Sequence, residues 1–221
     1  MAYGRTFLQL VNDVLRELRE PEVDTWNENE YSTMVGSFIN SCKRDAENAW
    51  TWSDLRNSYA VTTADGTITY ELEETDQRAQ ILDAWNTTTQ EELRLKSWRS
   101  MNRVYFGAEP DQEGYVTHYV PNGVASATGA SQVDLWPTPN SVQDLIFNVY
   151  APQLDLDADA DVMLVPSRPV VEGALARARF ERGEDGGVSF EGQALFMAKS
   201  LGDHIAIEAG RHPEDLQWEP C

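Results

Sequence analysis

The hydrophobic period of this sequence changes twice, and no other feature constrains its fold as strongly. Apolar residues recur at helical spacing up to Trp52, alternate at every second residue from Tyr59 onward, and return to helical spacing after Pro152. A helix buries a stripe of its surface, whereas a strand buries one face, so these stretches need different packing. The pattern predicts helices at both ends of the chain and a β-rich segment between them.

Two helices are predicted before residue 57. Thr6 and Gln9 have the spacing of a capping box at the start of the first helix, which ends before Pro21. The second helix carries an apolar stripe that runs from Tyr31 to near Trp52. Cys42 lies on this stripe, and we interpret it as a small core residue rather than a reactive thiol.

The middle segment predicts a β-rich module. Apolar residues alternate on both sides of the turn dipeptide Asp65-Gly66, a pattern that predicts a β-hairpin over residues 59–72. Turn-rich pieces separate the further predicted strands, which are Ala79–Trp85, Leu93–Leu95, Tyr115–Val120, Val133–Trp136 and Asp144–Ala151. A short helix is predicted over Ser97–Tyr105. We expect a sandwich or a strongly twisted sheet.

Two more helices are predicted after Pro152. The first begins around Ser167, and its surface carries Arg177 and Glu181 as a pair four residues apart. The second begins at Ser189, and its predicted apolar side consists of Phe190, Ala194, Met197, Leu201, Ile205 and Ala209. Because no single helix can bury its stripe alone, we expect the two helix pairs to pack together. The predicted fold class is α+β: a four-helix bundle from residues 1–56 and 152–221, with an inserted β-rich, sandwich-like module at 57–151.

The charge of the chain excludes several kinds of partner. Its 221 residues carry 17 Lys and Arg against 37 Asp and Glu, a formal net charge of −20. This charge argues against a nucleic-acid-binding groove and against a basic membrane-binding face. No window approaches the roughly 18 apolar residues of a membrane span. With two cysteines and no signal-like apolar core at its start, the chain is expected to fold in reducing cytoplasm.

No motif predicts a cofactor, a metal or a catalytic residue. The alternating aspartates of residues 155–161 resemble a cation site, but they lack the EF-hand spacing, and we interpret them as a solvated, extended acidic connector. His118, His204 and His212 lack the spacing of a zinc site. Because carboxylates are abundant, a glycosidase pair in the β-rich module stays open as an alternative.

A local group of basic and aromatic residues lies around the predicted short helix. Arg94, Lys96, Arg99 and Arg103 are interleaved with Trp98 and Tyr105, as in some proteins that bind single-stranded nucleic acid. In a module this acidic, we favour pairing of these cations with acidic neighbours, including neighbours across a subunit interface. Trp98, Arg99 and Arg103 are therefore the predicted interface residues.

Several short segments, in unchanged order along most of the chain, resemble one protein family. They include Asn12-Asp13-Val14-Leu15-Arg16, Ala49-Trp50 with Trp52, Met101-Asn102-Arg103, Leu135-Trp136-Pro137, Leu164-Val165-Pro166-Ser167 and Gly210-Arg211-His212-Pro213. Together they resemble the head-to-tail adaptor of short-tailed bacteriophages, also called tail tubular protein A. The resemblance implies a helical bundle that carries a β-rich portion.

The resemblance also implies a place in the virion. It implies a ring of twelve copies, assembled in the host cytoplasm, between the portal protein and the tail nozzle, with genome DNA passing through an acidic channel. It places the C-terminal segment against the portal, with contacts at Arg211, His212, Leu216 and Trp218, and the β-rich module toward the nozzle and tail fibres. Exposed aromatic anchors would come from Trp26, Trp98, Trp136 or Trp218. The alternative is a tail-associated hydrolase of polysaccharide or cell wall.

Overall fold

The structure is a computed structural model that describes residues 4–108, 112–183 and 188–211. The α-helices in this part of the chain are α1 (Phe7–Glu17), α2 (Glu30–Ala49), α3 (Trp98–Arg103), α4 (Ser167–Glu181) and α5 (Val188–Arg211). The strands in the same part are β1 (Arg56–Thr62), β2 (Thr69–Leu72), β3 (Gln80–Asn86), β4 (Glu91–Glu92), β5 (Arg94–Leu95), β6 (Glu113–Gly114), β7 (His118–Val124), β8 (Ser131–Trp136), β9 (Thr138–Pro139) and β10 (Asp144–Tyr150). The α+β fold class is confirmed.

The chain divides into two compact units. One holds Met1–Leu55 together with Asp155–Cys221, and we refer to it as the helical unit. The other holds Arg56–Leu154, and we refer to it as the β module. The β module is continuous in sequence, whereas the helical unit is assembled from the two ends of the chain.

Helix α4 lies at the centre of the helical unit, where it packs on α1, α2 and α5. A close approach at Gly173 makes this possible: a Cβ atom there would lie 2.9 Å from the Cys42 sulfur of α2 and 2.6 Å from the Met197 sulfur of α5. The predicted capping box of α1 is present, with Thr6 and Gln9 each binding the backbone of the other. Cys42 is fully buried, as predicted.

Arg177 forms a different ion pair from the one predicted. Its guanidinium lies 2.7 Å from the Asp45 carboxylate of α2, so the contact is made between helices instead of along α4 with Glu181. The reason is the packing of α4 on α2, which brings a carboxylate of the neighbouring helix within reach. Spacing along one helix does not reveal this neighbour.

The β module contains two four-stranded sheets around one core and a small two-stranded sheet in which β6 pairs parallel with β9. The first sheet has the strand order β1-β10-β3-β4, and the second has the order β2-β8-β7-β5. Side chains of both sheets meet in the core, among them Leu145 and Phe147 of β10 and Leu72 of β2 with Leu135 of β8. The predicted sandwich-like arrangement is therefore present.

The predicted hairpin over residues 59–72 is wrong. The turn exists, with Gly66 at φ 71° and the Thr67 amide donating to the Ala64 carbonyl. However, β1 pairs antiparallel with β10, and β2 pairs antiparallel with β8 in the other sheet. Alternating burial identifies which face of a strand is buried but not which strand it pairs with, so the same pattern fits a strand that crosses between sheets.

The chain changes sheets at both lateral edges of the sandwich. At one edge, β1 ends the first sheet and β2 ends the second. At the other edge, β4 ends the first sheet and β5 ends the second, with only Leu93 between them. The predicted strand at 93–95 is thus shorter than expected, and the predicted helix at 97–105 begins after Ser97, which caps α3.

Candidate functional site

Most residues of the aspartate-rich segment 155–161 are exposed, as expected for a solvated segment. The segment nevertheless packs on the helical unit and turns at residues 158–160, so its interpretation as an extended connector is wrong. Asp155 forms an ion pair with Arg44 of α2. Leu156 is buried, and its backbone carbonyl and amide both bind the Asn40 side chain, at 3.0 and 2.9 Å. These contacts anchor the start of the segment on α2.

The carboxylates of Asp159 and Asp161 bind backbone donors. The Trp26 amide donates to Asp159 at 2.7 Å, and the Trp26 indole N–H donates to the Asp157 carbonyl at 2.9 Å. The amides of Ala158 and Asp157 donate to the Asp161 carboxylate, and these hydrogen bonds lower the pKa of Asp161. Among the described residues, no group of three His, Cys, Asp or Glu side chains could hold a metal ion.

The nucleophile and base candidates make structural contacts. Burial raises the pKa of the Cys42 thiol to about 11, which disfavours the thiolate. His118 lies against Trp136 and contacts the Thr117 hydroxyl at 2.8 Å. Burial, followed by the charges of Lys96 and Arg94, lowers the pKa of His118. The His204 imidazole lies 2.7 Å from the Ser200 carbonyl within α5.

The predicted interface residues lie together along β5 and α3, at one lateral edge of the β module. We call this surface the basic edge and define it by Arg94, Lys96, Trp98, Arg99 and Arg103. Trp98 is 48% exposed, and Arg99 and Arg103 are exposed beside it. The Lys96 ammonium lies over the Trp136 ring, 4.0 Å from its centroid. One face of the Trp136 ring is therefore already covered by a side chain of the same chain.

Two exposed apolar residues of the same edge escaped the sequence reasoning. Leu95 is 64% exposed, although it has the same parity as the buried Leu93, because the chain changes sheets between them. Phe106 is 85% exposed in the π-helical turn Val104–Ala108 that follows α3. Neither the helical nor the strand spacing of apolar residues in the sequence predicts an exposed aromatic side chain at this position. The composition of the edge, cations with exposed aromatic and aliphatic side chains, is typical of interface anchors.

The three arginines of the basic edge lack acidic partners in the described part of the chain. Within the described residues, Arg94, Arg99 and Arg103 form no ion pair, unlike Arg5, Arg16 and most other arginines. The predicted acidic neighbours are therefore not supplied by this part of the chain.

The opposite edge of the β module is acidic. A groove of about 430 Å³ lies between the edge strands, lined by residues 59–62 of β1 and 71–74 of β2 and the turn after it. We call the exposed carboxylates Glu71, Glu73 and Glu74 of this groove the acidic edge. Glu71 accepts hydrogen bonds from Thr128 at 2.9 Å and Gln132 at 3.5 Å, and none of the three forms an ion pair within the described residues.

Helix α5 presents apolar residues outward. Leu195, Phe196 and Ile207 are exposed, with Leu195 at 73%, and we call these three side chains the outer face of α5. The helix buries polar residues instead, namely Gln193, Ser200 and Glu208. The predicted apolar side is only half-buried.

Comparison with known families decides the class of protein. A family model described as SU10 adaptor protein matches residues 5–212. The chain belongs to this family. The resemblance to head-to-tail adaptors of bacteriophages is thereby confirmed, and an adaptor is a structural component of the phage virion that contacts other head and tail proteins. Comparison with curated proteins gives no match.

The residues predicted to meet the portal fall only partly within the described adaptor structure. Arg211 is the last residue of α5, and its guanidinium lies 3.3 Å from the Glu208 carboxylate, which also accepts the Ser53 amide at 2.8 Å. His212, Leu216 and Trp218 lie outside the described residues. Arg211 borders a groove of about 540 Å³ in the helical unit, which His204 and Trp52 also line.

Two further features bear on the other predicted partners and anchors of the adaptor. None of the helices described for residues 4–108, 112–183 and 188–211 combines the length and hydropathy needed to cross a membrane. Of the predicted aromatic anchors, Trp26 packs on Phe7 with ring centroids 5.1 Å apart, whereas Trp98 is free to meet another chain. Trp98 is therefore the more exposed of these two side chains.

Proposed function

We propose that this adaptor forms a ring of twelve copies between the portal protein and the tail nozzle protein of a short-tailed bacteriophage, with genome DNA passing through its centre. The observation that carries the proposal is the family match over residues 5–212, which covers nearly the whole chain. The ring has a structural role in the neck of the virion and uses no cofactor. It is assembled in the host cytoplasm.

Exposed apolar surface supports a role in assembly. A ring needs heterologous contacts, in which one patch of each copy meets a different patch of the next. The outer face of α5 and the basic edge leave several large apolar side chains in water, among them Phe196 and Phe106. Contact of these side chains with water is unfavourable in a free copy. Their burial beneath another chain is favourable and would stabilise an assembly.

The charge of the chain supports passage of DNA without specific binding. A net charge of −20 is spread over all three segments, with −4 in residues 1–56 and −8 in each of 57–151 and 152–221. Negative charge around a channel repels phosphates, whereas clustered cations hold them. The same charge keeps free copies soluble before assembly.

The C-terminal segment is the proposed portal contact, through Arg211, His212, Leu216 and Trp218, while the β module meets the nozzle and tail fibres. Purified protein mixed with portal rings and imaged by electron microscopy should give a ring of density below the portal. A chain that ends at Arg211 should lose this density. A chain that carries residues 212–221 in scrambled order is the matched control for length and composition. Absence of density with the full chain would contradict the adaptor role.

The alternative, a tail-associated hydrolase of polysaccharide or cell wall, would use a carboxylate pair in the β module. The groove lined by Glu71, Glu73 and Glu74 is the place where the described residues offer such a pair. Incubation with host polysaccharide and cell wall distinguishes the two functions. Sugar release that disappears in the Glu73→Gln or Glu74→Gln variant would favour the hydrolase, and we expect no release.

A further inference from the structure

The second sheet of the β module carries opposite charges at its two ends. Strand β5, at one end, continues into α3 and carries the basic edge, whereas β2, at the other end, carries the acidic edge. Three strand spacings separate β2 from β5, on the order of 14 Å. The two edges therefore face away from each other, and the charges cannot pair within one sheet.

Each edge holds charged side chains that form no ion pair within the described part of the chain. Arg94, Arg99 and Arg103 have no carboxylate partner there, and Glu73 and Glu74 have no cation partner. The basic edge adds exposed apolar side chains at Trp98 and Phe106. The acidic edge adds the groove between β1 and β2, where each strand is the last of its sheet and offers unpaired backbone groups.

Resting on the proposed ring, we propose that the basic edge of each copy binds the acidic edge of the next copy. Opposite charges on opposite sides of one module produce a head-to-tail contact that repeats around a closed ring. Arg99 and Arg103 face Glu73 and Glu74 of the neighbour, and Trp98 is the apolar anchor of the contact. A nucleic acid is disfavoured as the partner because the β module, with 6 Lys and Arg against 13 Asp and Glu, has a net charge of −7.

Charge-reversal variants test this contact. The pair Arg99→Glu and Arg103→Glu makes both edges acidic, and the pair Glu73→Arg and Glu74→Arg makes both edges basic. The combined fourfold variant exchanges the two signs and restores complementarity. The matched control reverses two exposed glutamates of the helical unit, Glu17→Arg on α1 and Glu181→Arg on α4, which lie outside the β module.

Portal rings provide the scaffold for the measurement. Native mass spectrometry counts adaptor copies per portal ring across a range of adaptor concentrations. Each twofold variant alone should need about tenfold more protein for half-occupancy, because like charges replace opposite charges at every contact. The fourfold variant should reach half-occupancy at a concentration close to that of the unmodified chain. An equimolar mixture of the two twofold variants should do the same. The control with Glu17→Arg and Glu181→Arg should reach half-occupancy at the same concentration as the unmodified chain, and circular dichroism checks the fold of each variant.

The outcomes separate this inference from the proposed function. If the unmodified chain fills the portal but folded twofold variants fill it at the same concentration, the edge contact is overturned and the adaptor role stands. Failure of both the fourfold variant and the mixture also overturns the contact. An unmodified chain that never binds the portal overturns both proposals. Binding of a single-stranded oligonucleotide that is lost with Arg99→Glu and Arg103→Glu would overturn the contact in favour of nucleic acid.

Discussion

Helices α2 and α5, the two longest of the described helical unit, use their apolar residues in opposite ways. Helix α2 buries its apolar stripe, including Val35, Ile39 and Cys42, against the rest of the unit. Helix α5 buries polar side chains and leaves Leu195 and Phe196 in water. The apolar residues of α2 pack within the described helical unit, whereas the described residues leave the outer face of α5 uncovered, as is typical of a surface that meets another molecule.

Two of the three polar side chains that α5 buries are hydrogen-bonded, whereas the Ser200 hydroxyl has no partner among the described residues. Gln193 accepts from Arg179 at 3.2 Å and donates to Glu172, so its amide binds two residues of α4. Glu208 binds the Ser53 amide and Arg211. Hydrogen bonding of Gln193 and Glu208 offsets most of the cost of burying this polar face, and the apolar residues are left on the outside.

The largest expected effect concerns the interior of α2. Lys43 and Glu47 form an ion pair at 2.9 Å with both side chains fully buried. Lys43→Ala would leave the Glu47 carboxylate buried without its cation, and we expect the free energy of unfolding to fall by about 3–5 kcal/mol. Urea denaturation followed by circular dichroism measures this change.

The control for this variant lies on α5. Lys199 is exposed, so Lys199→Ala should change the free energy of unfolding by less than about 0.5 kcal/mol. A double variant, Lys43→Met with Glu47→Leu, should recover most of the stability because it removes both charges. If Lys43→Ala lowered the free energy of unfolding no more than Lys199→Ala, the buried ion pair would not stabilise α2, and the contrast with the exposed side of α5 would not hold.

An intermediate effect is expected at two helical glycines. A Cβ atom at Gly173 of α4 would lie 2.6 Å from the Met197 sulfur, whereas a Cβ atom at Gly202 of α5 meets nothing within 4 Å. Gly173→Ala should therefore destabilise the chain by about 1–3 kcal/mol through overpacking. Gly202→Ala should stabilise it by up to about 1 kcal/mol through helix propensity. Thermal unfolding of both variants measures the two changes. If Gly202→Ala also destabilised the chain, the added methyl group would have to contact another side chain, and α5 would be packed on both sides.

Much of the fold follows from local sequence patterns. The capping box at Thr6, the buried stripe of α2 and the turn at Asp65-Gly66 depend on residues close together in the chain, and all three are present. The pairing of β1 with β10 depends on residues about 90 positions apart, such as Tyr59 and Phe147, and the alternating pattern contains no information about it. The predicted hairpin was wrong for that reason.

The candidate site was predictable in part. The spacing of Trp98, Arg99 and Arg103 placed them together, and they do lie on one exposed edge. The acidic edge was not predictable, because Glu73 and Glu74 are ordinary members of a chain with 37 acidic residues until the sheet order places them opposite the basic edge. Asp155 and Asp161 were misread because their partners, Arg44 and a local turn, are visible only in the folded chain.

The smallest expected change in stability concerns the outer face of α5. Phe196→Ser removes an aromatic ring that is already in water, so the free energy of unfolding should change by less than about 0.5 kcal/mol. The same kind of change on α2, Ile39→Ser, removes a fully buried side chain and should cost more than about 2 kcal/mol. The fluorescence of a hydrophobic dye bound to the native protein should fall with Phe196→Ser, because less apolar surface is exposed. A large loss of stability with Phe196→Ser would mean that its own chain covers this ring, and α5 would then resemble α2.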